Sequence, residues 1–379
     1  MAESAPGLTK PPPNLGIPSS TSTVSVSCIN TTATINHVPA AAFMQPARRG
    51  HETFSIPCYA FLIRNKALNR TVVFDLGIRR DVENFSPAVR KMIDKMGMSV
   101  DVESDVRDIL VRQGVDVDQI EAVVWSHWHF DHSGDMSRFG PGTALIVGPG
   151  FCAAENGIYP GYPANSSSPI LESDYTGREL RELSFSDSSL AVGRMPALDY
   201  FGDGSLYLLD APGHAIGHLC ALARVTPAPN SSFVLMGGDT CHHMAELRPS
   251  PFRPLPDVID PSPLLHLPVC PGSLFDPVLF QEPSSGCPDR TRAIYDIATG
   301  PDIVHANSEE TQRTVAKLQD VDAVDKVLVV IAHDKHLLDV IDFFPATLDD
   351  FLVKGWPASA RWRFLQDFQQ AAGIVPSKI

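Results

Sequence analysis

The sequence predicts an α+β fold, a domain mixing strands and helices around a sizeable core. Three observations lead there. Short runs of β-branched and aromatic residues recur along the chain with turn residues between them. Two early stretches carry apolar residues at helical spacing. Several apolar runs also end on His or Asp, which reads as strands whose C-terminal ends carry chemistry. The 379 residues are 44% hydrophobic and 20% charged, apolar enough to exclude wholesale disorder. By size this is one large domain with insertions, or two. We expect a disordered tail over 1–22 and one domain over 23–379, with an insertion at 246–290.

The elements follow in order. The Pro/Ser/Thr-rich start reads as a mobile tail. From Thr23 the runs TVSVSC, TATINHV, FSIPCYAFLIRN and TVVFDLG read as strands. Ser86-Pro87 supplies an N-cap and a first-turn proline for a helix whose face is Val89, Met92, Ile93 and Met96, stopped by Gly97. A second helix carries Val102, Val106, Ile109 and Leu110 and stops at Gly114. A buried-type strand, IEAVVWS, then runs into HWHFDHSG, and TALIVGPG, SLYLLDAPG, LCALARV, SSFVLMGGD and KVLVVIAH continue the strand theme. Between Pro249 and Pro288 lies a third of the chain's 33 prolines. Such a stretch is neither regular helix nor central strand. We expect an extended insertion that walls a pocket through Phe252, Leu264, Leu265 and Phe280. Near the end, one helix is expected from Thr347 to Gly355 and another over ARWRFLQDFQQA.

Charge and composition exclude several classes. Lys+Arg is 30 and Asp+Glu 44, a net charge of −14, whereas nucleic-acid binders present a basic face. No apolar run is long enough for a transmembrane helix, so neither nucleic acid nor membrane is expected as a partner. The start lacks the apolar core of a secretory signal, and the seven cysteines are scattered and odd in number without a CxxC. Reduced thiols in an intracellular, cytoplasmic protein fit both facts. Ser377-Lys378-Ile379 comes close to a Ser-Lys-Leu peroxisomal address. Nothing in the sequence selects an oligomeric state.

The densest chemistry is His127-Trp128-His129-Phe130-Asp131-His132, directly after an apolar strand. A strand end followed by a tight loop aims several such side chains at one point. Imidazole nitrogens and carboxylate oxygens suit zinc and related divalent ions. Three histidines within six residues at a strand end are more than a polar surface loop ordinarily offers. Two ions need further ligands, and three other strand ends offer them, at Pro212-Gly213-His214, Asp239 and His333.

In order, HWHFDH, PGHAIGH, GGDT and IAHDKH resemble the metal motifs of the metallo-β-lactamase-fold hydrolases, and Asp75 in VVFDLG matches that family's early structural aspartate. GVDVDQIEAVVWSHWHFDHSGD is most similar to the lactonase-like and glyoxalase II-like members. The resemblance spans roughly residues 50–340 and leaves out the tail, the Pro-rich stretch and the C-terminal helices. It implies a four-layer αβ/βα sandwich, here with a Pro-rich insertion and C-terminal helices. It implies two Zn²⁺ per chain, or other divalent metals. His127, His129 and His214 would hold the first, Asp131, His132 and His333 the second, and Asp239 would bridge them. The family's ligand in PGHAIGH is the first histidine, which leaves His218 as a supporting residue and His336 as structural.

The implied activity is that of a dinuclear zinc hydrolase, lactonase or lactamase in type, which opens a small cyclic ester or amide by attack of a metal-bound hydroxide. Asp131 and His242 are the catalytic candidates. Asp131 would orient the hydroxide and pass a proton to the leaving group. His242 stands where the family's lactone hydrolases often carry Tyr, and its imidazole can donate to the substrate carbonyl. The expected partner is a small-molecule substrate. The alternative is a thioesterase of the same fold, polyketide-releasing or glyoxalase II-like. A mono-iron persulfide dioxygenase is the alternative of another class, and the full second set of ligands weighs against it.

Overall fold

Alternation decides which way each strand's side chains face. In β3 (Arg70–Phe74), Val72 and Phe74 enter one core and Val73 another. The computed structural model describes residues 10–264 and 266–374; Leu265, the Ser377-Lys378-Ile379 terminus and residues 1–9 lie outside the described residues. Around β3 a seven-stranded sheet is built from β1 (Ser25–Pro39), β2 (Thr53–Asn65), β4 (Ser99–Asp101), β5 (Ala122–Val124), β6 (Ala144–Val147) and β7 (Leu180–Glu182), in the order β4-β1-β2-β3-β5-β6-β7. β1, β2, β3 and β4 pair antiparallel, whereas β3, β5, β6 and β7 run parallel. The second sheet holds β8 (Ala191–Val192), β9 (Met195–Asp199), β10 (Leu206–Asp210), β11 (Leu219–Thr226), β12 (Ser232–Met236) and β13 (Val327–Val330), consecutive neighbours in that order. It is antiparallel except for the parallel β12–β13 pair.

Register turns this alternation into layers. The cross-strand row Phe61, Phe74, Val124, Ile146 of the first sheet and the row Leu208, Ala221, Met236, Val330 of the second share one core. Each such side chain contributes about 1.5–3 kcal/mol on burial. The opposite row, Leu62, Val73, Val123, Leu145, packs on Val106 and Leu110 of α2 (Val106–Arg112). On the far side, Tyr207, Leu222, Leu235 and Val329 meet Val315, Leu318 and Val321 of α4 (Ser308–Asp322). The result is the αβ/βα sandwich, of α+β class.

Local signals explain where helices start and where expectation departs from structure. α1 (Pro87–Met96) begins as its sequence dictates. Ser86 Oγ accepts from the Val89 N–H at 3.3 Å, and Gly97 closes the helix in the left-handed conformation. α2 begins at Val106 rather than Val102, because Asp105 Oδ1 caps the Asp108 N–H at 2.9 Å. The segment from Thr347 forms turns, and α5 (Trp356–Ala360) starts only after Gly355, with Pro357 in its first turn. ARWRFLQDFQQA contains a 3₁₀ helix, Arg363–Phe368, which buries Phe364, Leu365 and Phe368.

Residues 10–22, expected within a disordered tail, are packed. The Lys10 N–H donates to the Pro251 carbonyl, the Gly193 N–H to the Leu15 carbonyl, and Ser20 Oγ to the Asp203 carbonyl. Arg224, buried within β11, requires acceptors and takes the Pro18 carbonyl as one. The Pro-rich stretch folds outward, with Leu255, Ile259, Leu264 and Phe275 in the core outside the second sheet. Among the described residues no helix is long and apolar enough to cross a membrane.

Gly213 joins β10 to the site. Its φ of 129° and its position against the Thr311 backbone at the start of α4 leave no room for a Cβ. Gly213→Ala should therefore destabilise the protein by about 2 kcal/mol or more, read as a lowered midpoint in urea unfolding; an unchanged midpoint would show that α4 yields freely.

Candidate metal centre

The site residues occupy one edge of the sandwich, on loops that leave strand ends. Asp75 follows β3 and His127 and His129 follow β5. Asp131 and His132 lie in α3 (Phe130–Ser133), a single helical turn. His214 follows β10, Asp239 follows β12 and His333 follows β13. β3 and β5 run parallel, as do β12 and β13, so each sheet delivers several of these ends to the same edge.

The side chains converge in two sets that share Asp239. His127, His129, His214 and Asp239 form one, and Asp131, His132, His333 and Asp239 the other. In the first, His129 Nδ1 lies 3.0 Å from His214 Nε2, which lies 3.4 Å from Asp239 Oδ2. In the second, His132 Nε2 and His333 Nε2 each lie 3.0 Å from Asp239 Oδ1, and His333 Nε2 is 3.4 Å from Asp131 Oδ2. Donors that share a tetrahedral ion at about 2.0–2.1 Å stand roughly 3.3 Å apart. His127 Nε2, His132 Nε2, His333 Nε2 and Asp239 Oδ1 are buried without a hydrogen-bond partner. Orphaned polar atoms facing one another at these spacings fit divalent cations.

The electrostatics point the same way. Burial opposes charge on His132 and on His333, yet Asp239 outweighs it, helped at His132 by Asp75 and Asp131, and holds both pKa values well above the ordinary histidine value. Burial opposes ionisation of Asp239, but His132, His333 and His242 hold its pKa well below the usual carboxylate range. Burial and neighbouring imidazoles keep His127 and His214 well below the histidine value, and burial carries His129 down to about 4. The first set is thus composed of neutral imidazoles, as ligation requires.

A second tier of contacts orients the donors. Asp75 adopts φ 61°, a left-handed conformation that aspartate tolerates. Its Oδ1 accepts from the Ser126 N–H at 2.6 Å and its Oδ2 from His132 Nδ1 at 2.8 Å, leaving His132 Nε2 for the centre. His333 Nδ1 donates to the Pro57 carbonyl at 2.8 Å. His218 is wholly buried; its Nδ1 donates to the Ala211 carbonyl and its Nε2 accepts the Asp239 N–H at 2.9 Å, so it fixes the backbone of the shared aspartate. His305 joins this tier from outside every sequence motif, with Nδ1 3.1 Å from His214 Nδ1. A lone histidine in a loop carried no signal in the sequence.

The other histidines divide. His242 sits beside the shared carboxylate, Nε2 3.1 Å from Asp239 Oδ2, with its ring 4.3 Å from that of Phe43. His243 and His336 turn away to Asp367, at 3.1 and 2.9 Å. His51, His243 and Asp367 also cluster, but the Ala245 N–H donates to His243 Nδ1 and so keeps the proton on Nε2, the atom a metal would need.

Above the centre opens a cavity of about 730 Å³, reached by His129, Asp131, His214, Asp239, His242 and His333. Its walls are apolar: Ile35, Val38 and Ile56 from β1 and β2, Val89, Met92 and Met96 from α1, then Phe43, Trp128, Ile303 and Val304. No described residue of 246–290 lines it, so the expected wall role of the insertion is corrected. Leu264 is buried in the outer core, Phe280 stacks under Arg292 at 3.7 Å, and Phe252 lies away from the cavity. The apolar helix face read from the sequence supplies part of the wall instead, through Val89, Met92 and Met96.

Fold and centre define the class, a metal-dependent hydrolase. The chain belongs to the metallo-beta-lactamase superfamily, whose profile matches residues 56–221. It is 42% identical over 363 residues to the gamma-lactamase FDB1 of Fusarium pseudograminearum (strain CS3096), covering 94% of this chain and 85% of that protein. It is 43% identical over 379 residues to the metallo-hydrolase mfmC of Annulohypoxylon moriforme, covering 98% and 95%. A solved N-acyl homoserine lactone hydrolase, with the product N-hexanoyl-L-homoserine at its catalytic metal centre, matches with a TM-score of 0.53 at 15% identity, over 86% of this chain and 99% of that one. That last likeness is one of fold.

Asp75→Asn keeps a residue at home in the left-handed conformation but removes the charge behind His132. Metal affinity, measured by chelator competition, should fall about 10–100-fold; affinity equal to that of the unaltered protein would deny Asp75 its orienting role.

Proposed function

We propose that this chain is a dinuclear zinc hydrolase that opens a small cyclic ester or amide carrying an apolar body, with γ-lactams and γ-lactones as the first candidates. One observation carries the reading: two buried donor sets share Asp239 on the floor of an apolar cavity. The relative named as a gamma-lactamase, alike over most of both chains, supports the ring amide. His127, His129 and His214 would hold one ion, Asp131, His132 and His333 the other, with Asp239 between them. Bound there, the ions supply a water acidified to near neutrality and polarise the carbonyl.

The chain's own residues do the rest. Met92, Met96, Trp128 and Ile303 exclude water around the apolar part of the substrate and seat its carbonyl over the donors. Asp131 reaches the cavity with one carboxylate oxygen beside His333 Nε2, where it can take the proton of the attacking water and return it to the departing nitrogen or oxygen. His242 presents its ring to the cavity, and its Nε2–H, held by Asp239 Oδ2 at 3.1 Å, can turn to the carbonyl oxygen as charge develops there.

The test is a panel of γ-lactams, γ-lactones and acyclic thioesters on zinc-loaded protein, with metal content measured alongside. Two ions per chain and ring opening are expected; faster thioester cleavage, or a single bound iron, would overturn the reading. His127→Ala should cost more than the roughly 100-fold that loss of an outer partner brings. His242→Phe should lower turnover about 10²–10³-fold with metal content unchanged, and normal turnover would remove His242 from the mechanism.

A further inference from the structure

We infer that His305 is a positioning residue for the metal centre: its imidazole fixes the tautomer of His214 and so presents His214 Nε2 to the first donor set. The inference rests on the metal centre proposed above. It follows from hydrogen-bond donors and acceptors taken in sequence. His305 Nε2 lies 2.9 Å from the Phe43 carbonyl, which has no proton to give, so the His305 proton resides on Nε2. His305 Nδ1 is therefore a lone pair, and it lies 3.1 Å from His214 Nδ1. The proton between those two nitrogens then belongs to His214 Nδ1. This leaves His214 Nε2 as a lone pair, 3.0 Å from His129 Nδ1 and 3.4 Å from Asp239 Oδ2. In neutral imidazoles each link allows one arrangement only.

The backbone holds the two histidines against each other. The Ala306 N–H donates to the His214 carbonyl at 2.8 Å, and the Asn307 N–H to the Gly213 carbonyl at 2.9 Å. His305 is buried, and the Val304 N–H is tied to the Ala42 carbonyl at 3.0 Å. The neighbouring donors use other acceptors for the same purpose, the Asp75 carboxylate for His132 and the Pro57 carbonyl for His333. His305 does this with a ring nitrogen in place of a carboxylate, which orients His214 without adding negative charge beneath the first set. Val304, the residue before it, lines the cavity, so one short segment both walls the substrate site and sets a metal donor.

The test compares His305→Gln with His305→Leu. The Gln amide offers an oxygen for His214 Nδ1–H and an N–H for the Phe43 carbonyl; Leu offers neither. Chelator competition should show one of two bound zinc ions weakened about 10–100-fold in His305→Leu, with His305→Gln restored to within about threefold of the unaltered protein. Equal affinity in all three, or equal loss in both variants, would overturn the inference. A second readout needs neither metal nor activity. In the metal-free protein labelled with ¹⁵N-histidine, His214 should carry its proton on Nδ1. A proton on Nε2 would overturn the inference even if His305→Leu fails to fold. A protein that binds no zinc would instead sink the proposed function, leaving the tautomer measurement to judge His305 by itself.

Discussion

One buried carboxylate organises this edge of the molecule. Asp239 is almost wholly inaccessible, and a carboxylate removed from water carries a penalty of several kcal/mol unless positive charge surrounds it. Five imidazole rings surround it, with nitrogens of His127, His132, His214, His242 and His333 between 3.0 and 3.8 Å of its two oxygens, and the compensating charge falls on His132 and His333. Such crowding is tolerable because four of the rings are turned by a contact behind them, Ser126 Oγ for His127, Asp75 for His132, His305 for His214 and the Pro57 carbonyl for His333. Asp75, Pro57, His218 and His305 are thus as much a consequence of Asp239 as the donors are. A cation between donors satisfies the same carboxylate without requiring protons on His132 and His333, which is the physical sense of the metal centre.

The sheets deliver these groups because parallel pairing sends loops from neighbouring strands to the same edge. β3 and β5 pair in parallel through Val72 with Ala122 and Phe74 with Val124, so the next residues, Asp75 and Trp125, leave side by side. The Ser126 N–H then meets Asp75 Oδ1, and the chain turns into His127 already oriented. β12 and β13 repeat the arrangement, ending at Met236 opposite Val330 before Asp239 and His333. An error of one residue in either register would send alternate side chains to the wrong face. The inner rows that exclude such a slip stabilise the sandwich and aim the donors at once.

What could be read from the sequence follows how far apart cause and effect lie along the chain. The donors at 127–132 sit within six residues after an apolar strand, and the caps of α1 lie at its own two ends. Those are local facts, and they were legible. His305 acts on a residue 91 positions earlier, through a carbonyl 262 positions from its own ring, and no spacing betrays that. The packed segment 10–22 reads as tail by composition. Its order comes from acceptors that Arg224 requires only once β11 is buried. The α1 face was legible as apolar but not as a wall, because core and cavity lining share the same 3.6-residue period. The insertion was misplaced for a related reason. Its prolines exclude regular structure but say nothing about which face the chain crosses, and its apolar residues complete the core outside the second sheet.

The contrast between floor and walls has a mechanistic consequence. The metal-type donors gather on one side of a cavity whose remaining lining, apart from Lys95 and Asp302 at its margin, is aliphatic, thioether or aromatic. Under the proposed function, a substrate with one polarised carbonyl on an apolar body would fit in a single sense, with the carbonyl toward Asp239 and the body against α1. An extended polar substrate would leave groups unpaired against Met92, Met96 and Ile303, at about 1–3 kcal/mol for each. The same lining strengthens the electrostatics below it, since charges act over longer range where water is displaced. In the proposed reading, selectivity and rate would come from one arrangement, because a wall that turns away polar substrates would also raise the effect of every fixed dipole on a developing oxyanion. Lys95 and Asp302, paired at 3.5 Å with both side chains exposed, join α1 to the 301–304 loop at the margin of that wall. In high dielectric such a pair adds little stability, so the ion pair by itself does little to hold α1 against this loop.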